Sequence, residues 1–458
     1  PDVATSLSNL AFFYQDQGDF DTAEPLYKRA LAIDENAFGP DHPDVATDLS
    51  NLAFFYQTQG DNFTGEPPSK RSLAIREETL GPNHPDVATS LNNLAALNQA
   101  RGDYAVAEPL HKRALEIREK ALGPDHPDVA ESLNNLANLY ETCGDYDKAE
   151  PLYTRSLAID EKMFGPDDPT VAKDLNNLAK LSYIRGDYNA AELLYERSLA
   201  INEEVFGPDH PDVAQSLNNL AGLYQIRGDY SAAEPLYKRS LAIWEGMLGP
   251  DHPSVAQSLN NLGALFRARG DSAAAEALYK RSLAIREKKL GSDHPSVAQS
   301  LNNLGVLYSA RGDSATAEPL YKRSLAILER ALGPNHPDVA QSLNNLANIY
   351  DTRGDYATAE ALYKRALGIR ERALGPEHPD VATSLKDLAF LYDTLGNSAA
   401  AEPLYIRSLA ILERTLGPDH PLVATNLENL ALLYRGTKRR SEAEALEQRA
   451  ARIRAIKR

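Results

Sequence analysis

Apolar residues recur along this chain at helical spacing, and the whole pattern returns every 42 residues. In the stretch 127–168, Val129, Leu133, Leu136, Ala137 and Tyr140 line up as one stripe. That is the i, i+3, i+4 recurrence of an amphipathic helix. It predicts a helix A from Asp128 to Thr142. Gly144 ends it, since glycine accepts the left-handed conformation that closes a helix. Asp145 is placed to cap the next helix. Ala149, Leu152, Tyr153, Ser156, Leu157 and Ile159 then form the stripe of helix B, which Gly165-Pro166 closes. Each helix is expected to run about 15–17 residues, or ~24 Å.

The unit repeats eleven times with no insertion or deletion, starting at Pro1, Pro43, Pro85, Pro127, Pro169, Pro211, Pro253, Pro295, Pro337, Pro379 and Pro421. A helix pair this small cannot bury both apolar faces alone, but a stack of pairs can. The pattern therefore predicts one all-α domain over 1–458, a solenoid of about eleven antiparallel helix pairs. Helix B often carries a proline in its second turn, as at Pro151. Repeat 2 breaks the pattern with Gly65, Pro67, Pro68 and Ser69, and a frayed or shortened helix B is expected there. The last helix, 441–458, is much more polar and reads as a C-terminal cap. Phe12 and Phe13 are expected to be exposed on the first repeat. The chain opens in mid-phrase at Pro1, which reads as a fragment of something longer.

Four phrases carry a family resemblance: Leu133-Asn134-Asn135-Leu136-Ala137, Gly144-Asp145-Tyr146, Ala149-Glu150-Pro151-Leu152-Tyr153 and Leu115-Glu116-Ile117-Arg118-Glu119-Lys120. The chain resembles the tetratricopeptide repeats of kinesin light chains and their bacterial relatives. The resemblance implies a right-handed superhelix, with helix A of every repeat on the concave face. It also implies that this face binds peptides. It does not imply a motor, and no heptad region is present.

The net charge of −17 disfavours nonspecific binding to nucleic acid or anionic membrane. The tail opposes this trend, with nine basic and three acidic residues from Arg435 to Arg458. Cys143 is the only cysteine, which excludes an intrachain disulfide and any multi-cysteine metal site. A reduced, cytoplasmic setting fits.

The leading candidate site is an asparagine ladder in helix A: Asn9, Asn51, Asn93, Asn135, Asn177, Asn219, Asn261, Asn303, Asn345 and Asn429, interrupted by Asp387. In seven repeats a second asparagine precedes it, from Asn92 to Asn344. An amide both donates and accepts, so it pairs with an extended peptide backbone of any sequence. In the family this position faces the groove. The alternative is that the ladder bonds adjacent helices and fixes repeat packing, or that each member of the pair does one job.

The resemblance also places Arg76, Arg118, Arg286 and Arg370, near the end of helix B, at groove positions. An arginine there forks onto a carboxylate. It places Arg267 and Arg435 at a second binding position, near the end of helix A. Trp244 is a candidate aromatic anchor, and Phe12, Phe54 and Phe390 share one variable helix A position; all of these also fit partly buried packing. Arg101, Arg185, Arg227, Arg269, Arg311 and Arg353 sit at helix A C-termini, where the helix dipole favours cations.

Nine histidines directly precede the repeat proline, from His42 to His420, and Asp168 takes the place once. A side-chain acceptor for an N-cap is what both residue types share, so the row is assigned to structure and not to metal. Arg29 and its equivalents recur in every repeat and read as scaffold. No phosphate loop, nucleophile elbow or zinc motif occurs. The expectation is a non-enzymatic interaction scaffold without cofactor, gripping an extended peptide of a partner protein in its concave groove. The alternatives are a sensor or spacer arm of a larger signalling protein, and an array that self-associates through its first repeat.

Overall fold

A computed structural model describes residues 2–456 and contains twenty-two helices among them. The helices follow one another as antiparallel pairs, each packed on the next. In repeat 4, helix A is Pro127–Thr142 and helix B is Tyr146–Phe164. Helix B has 19 residues, longer than the periodicity suggested; its last turn runs on to the closing glycine with Met163 and Phe164 exposed. The expected stripe is buried: Val129, Leu133, Leu136, Ala137 and Tyr140 from helix A meet Ala149, Tyr153 and Ile159 from helix B. The final helix spans Arg440–Ile456, and residues 457–458 of the expected cap lie outside the described residues.

Three polar devices explain residues that hydrophobic patterning alone does not. The histidine row caps helix A. His126 Nδ1 accepts from the Asp128 amide at 3.1 Å, and Asp168 does the same work for Thr170 at 2.9 Å. The serine in the helix B stripe bonds its own repeat's helix A: Ser156 Oγ donates to the Ala130 carbonyl at 2.9 Å. A glutamate early in helix B ties consecutive repeats. Glu276 takes Lys280 at 2.7 Å, the Tyr308 hydroxyl at 2.8 Å and Arg311 at 2.5 Å. Lys280, then Arg311 and Tyr308, hold its carboxyl down at about 2. The arginines at helix A C-termini thus pair across the repeat boundary. Asp145 is an exception among the caps: its carboxylate pairs with Lys148 at 2.5 Å and makes no cap bond.

The frayed helix expected in repeat 2 is not found. Helix B there runs unbroken over Asn62–Leu80 with Pro67 and Pro68 inside it. Asp61 caps its start at Thr64, and Asn62 bonds the Ala100 carbonyl. Gly65 lets the helix approach the Ala53 carbonyl and Leu97, where a Cβ would stand 3.1–3.2 Å away. Packing against helix A of its own repeat and of the next outweighs the backbone bonds lost to proline.

The superhelix returns upon itself. His252 Nε2 reaches the Asp16 carbonyl at 2.8 Å and His378 Nε2 the Thr142 carbonyl at 3.0 Å, each across 236 residues. His294 meets Thr58 in the same way, and His336 meets Ala100. Each Nδ1 already accepts an amide, so Nε2 carries the proton and donates. Around this row Phe20, Tyr104 and Tyr146, at the starts of B helices in repeats 1, 3 and 4, are buried. Tyr104 and Tyr146 share an apolar cluster with Leu374 and Leu416, and Phe20 shares one with Leu290. Lys288 and Lys289 line the same cleft as Asp19, Asp21 and Asp61, and Arg414 lines one with Asp145 and Asp147. At Gly144, with φ +72°, a Cβ would come within 2.7 Å of Pro379; at Gly354 nothing lies within 4 Å. Repeats 1–4 therefore form a seam with repeats 7–10.

Candidate functional site

Consecutive A helices meet one another as well as their B partners, and B helices have no comparable mutual contact. The A helices therefore take the inner radius, and their exposed stripe is the concave face. In repeat 4 this stripe is Glu131, Asn135 and Asn138. The variable position at its end is exposed at Phe12, Phe54, Phe390 and Leu432.

The two asparagine rows differ. The first row is turned toward neighbouring helices: Asn92 donates to Ser132 at 3.2 Å, Asn134 to Asp174 at 2.5 Å and Asn176 to Ser198 at 2.8 Å. The second row looks into the groove. Asn51, Asn135 and Asn303 are half-buried, Asn93 is exposed, and none of these four amides has a hydrogen-bond partner among the described residues. Asn177, Asn219 and Asn261 each reach back to the first-row asparagine of the preceding repeat, at 3.4, 3.3 and 2.8 Å. Asn345 accepts from Gln341 at 3.1 Å.

The arginines stand elsewhere. Arg118, Arg286 and Arg370 are buried between three helices, each 3–4 % exposed. Arg118 donates to the Asp128 carbonyl, Glu131 and Ser132 at 2.8–3.0 Å and to Thr89 at 3.1 Å. Arg286 makes the matching set with the Ser296 carbonyl, Gln299, Ser300 and Gln257. Arg370 follows with the Asp380 carbonyl, Ser384 and Gln341. Arg76 is half-buried and bonds Ser90 at 2.8 Å. In this state their guanidinium groups serve the floor behind the groove and not its surface. Arg267 is exposed, beside the Tyr279 hydroxyl. Trp244 is half-buried and bridges the apolar clusters of Val213 and Val255.

Two repeats replace the arginine–serine contact with a pair of acids. Asp34 faces Asp48, and Asp160 faces Asp174; all four are buried. Ser8 donates to Asp48 Oδ1 at 3.2 Å, but Asp48 Oδ2 and Asp34 Oδ1 have no partner among the described residues. Asp160 Oδ1 and Asp174 Oδ2 are likewise orphaned. Burial first, and then the facing Asp34 carboxylate, push Asp48 up to about 6. Burial raises Asp174 in the same direction. A proton held between the two carboxyls satisfies both orphaned oxygens at once. Sequence reading passed over these pairs, although Asp48 and Asp174 stand where most repeats have serine. His111 is buried on Asn92 at 2.9 Å, and burial lowers it to about 4.

The tetratricopeptide repeat profile matches at residues 2–62, 49–120, 91–162, 132–204, 170–246, 212–288, 277–330, 296–372, 352–414 and 394–455. The chain belongs to the tetratricopeptide repeat family. This tetratricopeptide array is similar to BtubC (BKLC) from P. vanneervenii, with 27% identity over 52% of this chain and 93% of that one, and a TM-score of 0.40. It is also similar to the putative kinesin light chain with nearly identical TPR-like repeats from Podosopora anserina, with 28% identity over 45% and 97% of the two chains and a TM-score of 0.38. Rap protein complexed with Competence and Sporulation Factor shares the fold at 16% identity, over 81% of this chain and 99% of that one, with a TM-score of 0.54. None of the curated proteins matches the array. No helix among its described residues is long and apolar enough to cross a membrane.

Proposed function

We propose that the concave face of this tetratricopeptide array binds an extended peptide segment of a partner protein and performs no catalysis. The carrying observation is the second asparagine row. Half-buried amides such as Asn51, Asn135 and Asn303 keep donor and acceptor unpaired, which a packing role alone leaves unexplained. Backbone pairing of this kind is independent of ligand sequence, so preference falls to the variable neighbours, Phe12, Phe54, Phe390 and Arg267. Trp244 contributes from beneath. Family membership supports the reading, as the tetratricopeptide fold serves protein–protein interaction.

The test is selection of displayed peptides on the wild-type chain and on the triple variant Asn135→Ala, Asn177→Ala, Asn219→Ala. Asn135 has no partner among the described residues, Asn177 makes one long bond, and Asn219 adds to its long bond an exposed one from Gln215 at 2.9 Å, so each substitution is expected to cost about 1 kcal/mol of stability or less. Expected is enrichment on the wild type that disappears on the variant at unchanged helicity. Equal enrichment on both proteins refutes the assignment, and unfolding of the variant returns the ladder to a packing role.

A further inference from the structure

We infer that Arg286 and Arg370 are positioning residues that set what this groove accepts: they orient chains of side-chain amides so that N–H donors face the ligand, which must then offer the carbonyl edge of an extended main chain. The inference rests on the peptide-groove reading for its ligand and on the geometry alone for the relay.

A guanidinium donates and never accepts. Arg286 Nη2 lies 2.6 Å from Gln257 Oε1, so that oxygen is turned inward. The amide nitrogen of Gln257 must then point the other way, and it donates to Asn261 Oδ1 at 3.0 Å. With its oxygen turned to Gln257, Asn261 directs its N–H donors the other way. One goes to Asn218 Oδ1 at 2.8 Å, and the other has no partner among the described residues. The same sequence runs from Arg370 to Gln341 Oε1 at 2.9 Å and from Gln341 to Asn345 Oδ1 at 3.1 Å, leaving the Asn345 nitrogen free. Each donor bond polarises the next, so the buried charge strengthens the donors at the surface.

Other repeats show what the arginine adds. In repeat 6 Gln215 donates to Asn219 at 2.9 Å, but Trp244 occupies the arginine position and nothing pins the glutamine oxygen. In repeat 3 Arg118 meets Thr89 where repeat 7 has Gln257, so no amide stands between the guanidinium and Asn93. The glutamine–asparagine bond forms in repeats 6, 7 and 9, and its arginine pin is confined to repeats 7 and 9; Arg286 also meets Gln299 of repeat 8 at 3.0 Å, where no onward bond to Asn303 is made among the described residues. Neither guanidinium of the relay is itself exposed, because both are buried behind the row. A neutral carbonyl therefore suits it better than a carboxylate, the more so on a chain of net charge −17.

The experiment compares the wild type with two double variants. Arg286→Leu with Arg370→Leu installs the residue that the array itself carries at Leu328 and Leu412, so the fold tolerates it. Arg286→Lys with Arg370→Lys keeps a donor-only cation. Affinity is read by titration of a peptide enriched on the wild type, and amide orientation by side-chain resonances after selective 15N labelling of asparagine and glutamine. Expected is at least a tenfold loss of affinity in the leucine variant and recovery to within about threefold in the lysine variant. The resonances of Gln257, Asn261, Gln341 and Asn345 should move while those of Asn51 and Asn93 stay. Unchanged affinity in the leucine variant overturns the selection role, and unmoved resonances overturn the relay. A wild type that enriches no peptide ends the groove reading and the choice of ligand with it, while the resonances alone still decide the relay.

Discussion

Replacing Asp34 by arginine and Asp48 by serine is expected to stabilise the array at pH 8 by roughly 1–3 kcal/mol, each pKa unit being worth about 1.4 kcal/mol. The change copies the contact that repeat 7 makes between Arg286 and Ser300. Asp48 is raised from 3.8 to about 6 in the folded chain. A carboxyl whose folded pKa lies above its unfolded value favours folding fully below the unfolded pKa. That contribution is lost as pH rises through the folded value. Asp48 therefore supports the fold at low pH and weighs against it above about 6, where its own carboxylate is ionised beside Asp34 in a buried site. The groups around it are Asp34 from helix B of repeat 1, Ser8 from helix A of repeat 1, and Asp44 on its own helix. None is a cation that relieves the second charge. Urea midpoints at pH 4.5 and pH 8 should converge in the double variant and diverge in the wild type. Equal pH slopes in both proteins would show that the pair shares no proton.

Opening the seam should have the largest effect on shape. Tyr104→Glu with Tyr146→Glu places two charges where buried rings meet Leu374 and Leu416. Each ring contributes about 1.5–3 kcal/mol by burial, and an unpaired buried carboxylate adds a further penalty. The helices themselves are held by neighbours within the array, so helicity should persist. Small-angle scattering should report a larger radius of gyration as the two turns separate. Tyr356→Glu, at an equivalent but exposed position, serves as the control. An unchanged radius in the seam variant would mean that the turns are held by the histidine row alone.

Sequence and structure agree where causes are local. Helical spacing, glycine stops, histidine and aspartate caps and the buried stripe of repeat 4 all follow from residues within one repeat. Disagreement begins where a residue's role depends on the neighbouring repeat. Pro67 and Pro68 signal a broken helix locally, yet flanking helices hold it straight. Arg118 and Arg286 vary between repeats as ligand-reading residues do, but their position on helix B faces the next helix A. The pairing of Glu276 with Lys280 one turn later lies within one repeat, whereas Tyr308 and Arg311 of the following repeat add to the same carboxylate. The seam was invisible because it arises from a small rotation accumulated over more than five repeats, which no local pattern reports. Its trace exists only in comparison: Lys288, Arg330, Arg372 and Arg414 are basic in each of repeats 7–10, whereas in repeats 1–6 the position varies, with Asn36, Glu78, Lys120, Lys162, Glu204 and Gly246.

The seam turns the number of repeats into a structural variable. Every unit brings the same glycine corner and nearly the same histidine–proline edge, so deleting one unit anywhere between Gly18 and Pro253 would let the two turns meet again, one tooth out of step. The contact behaves like a zip fastener whose length shrinks with each unit removed. An array of five units has nothing to fasten and remains an open arc, whereas one of eleven is a coil laced to itself. Gain or loss of whole units by recombination would therefore change curvature and rigidity in a step, without altering a single side chain of the groove.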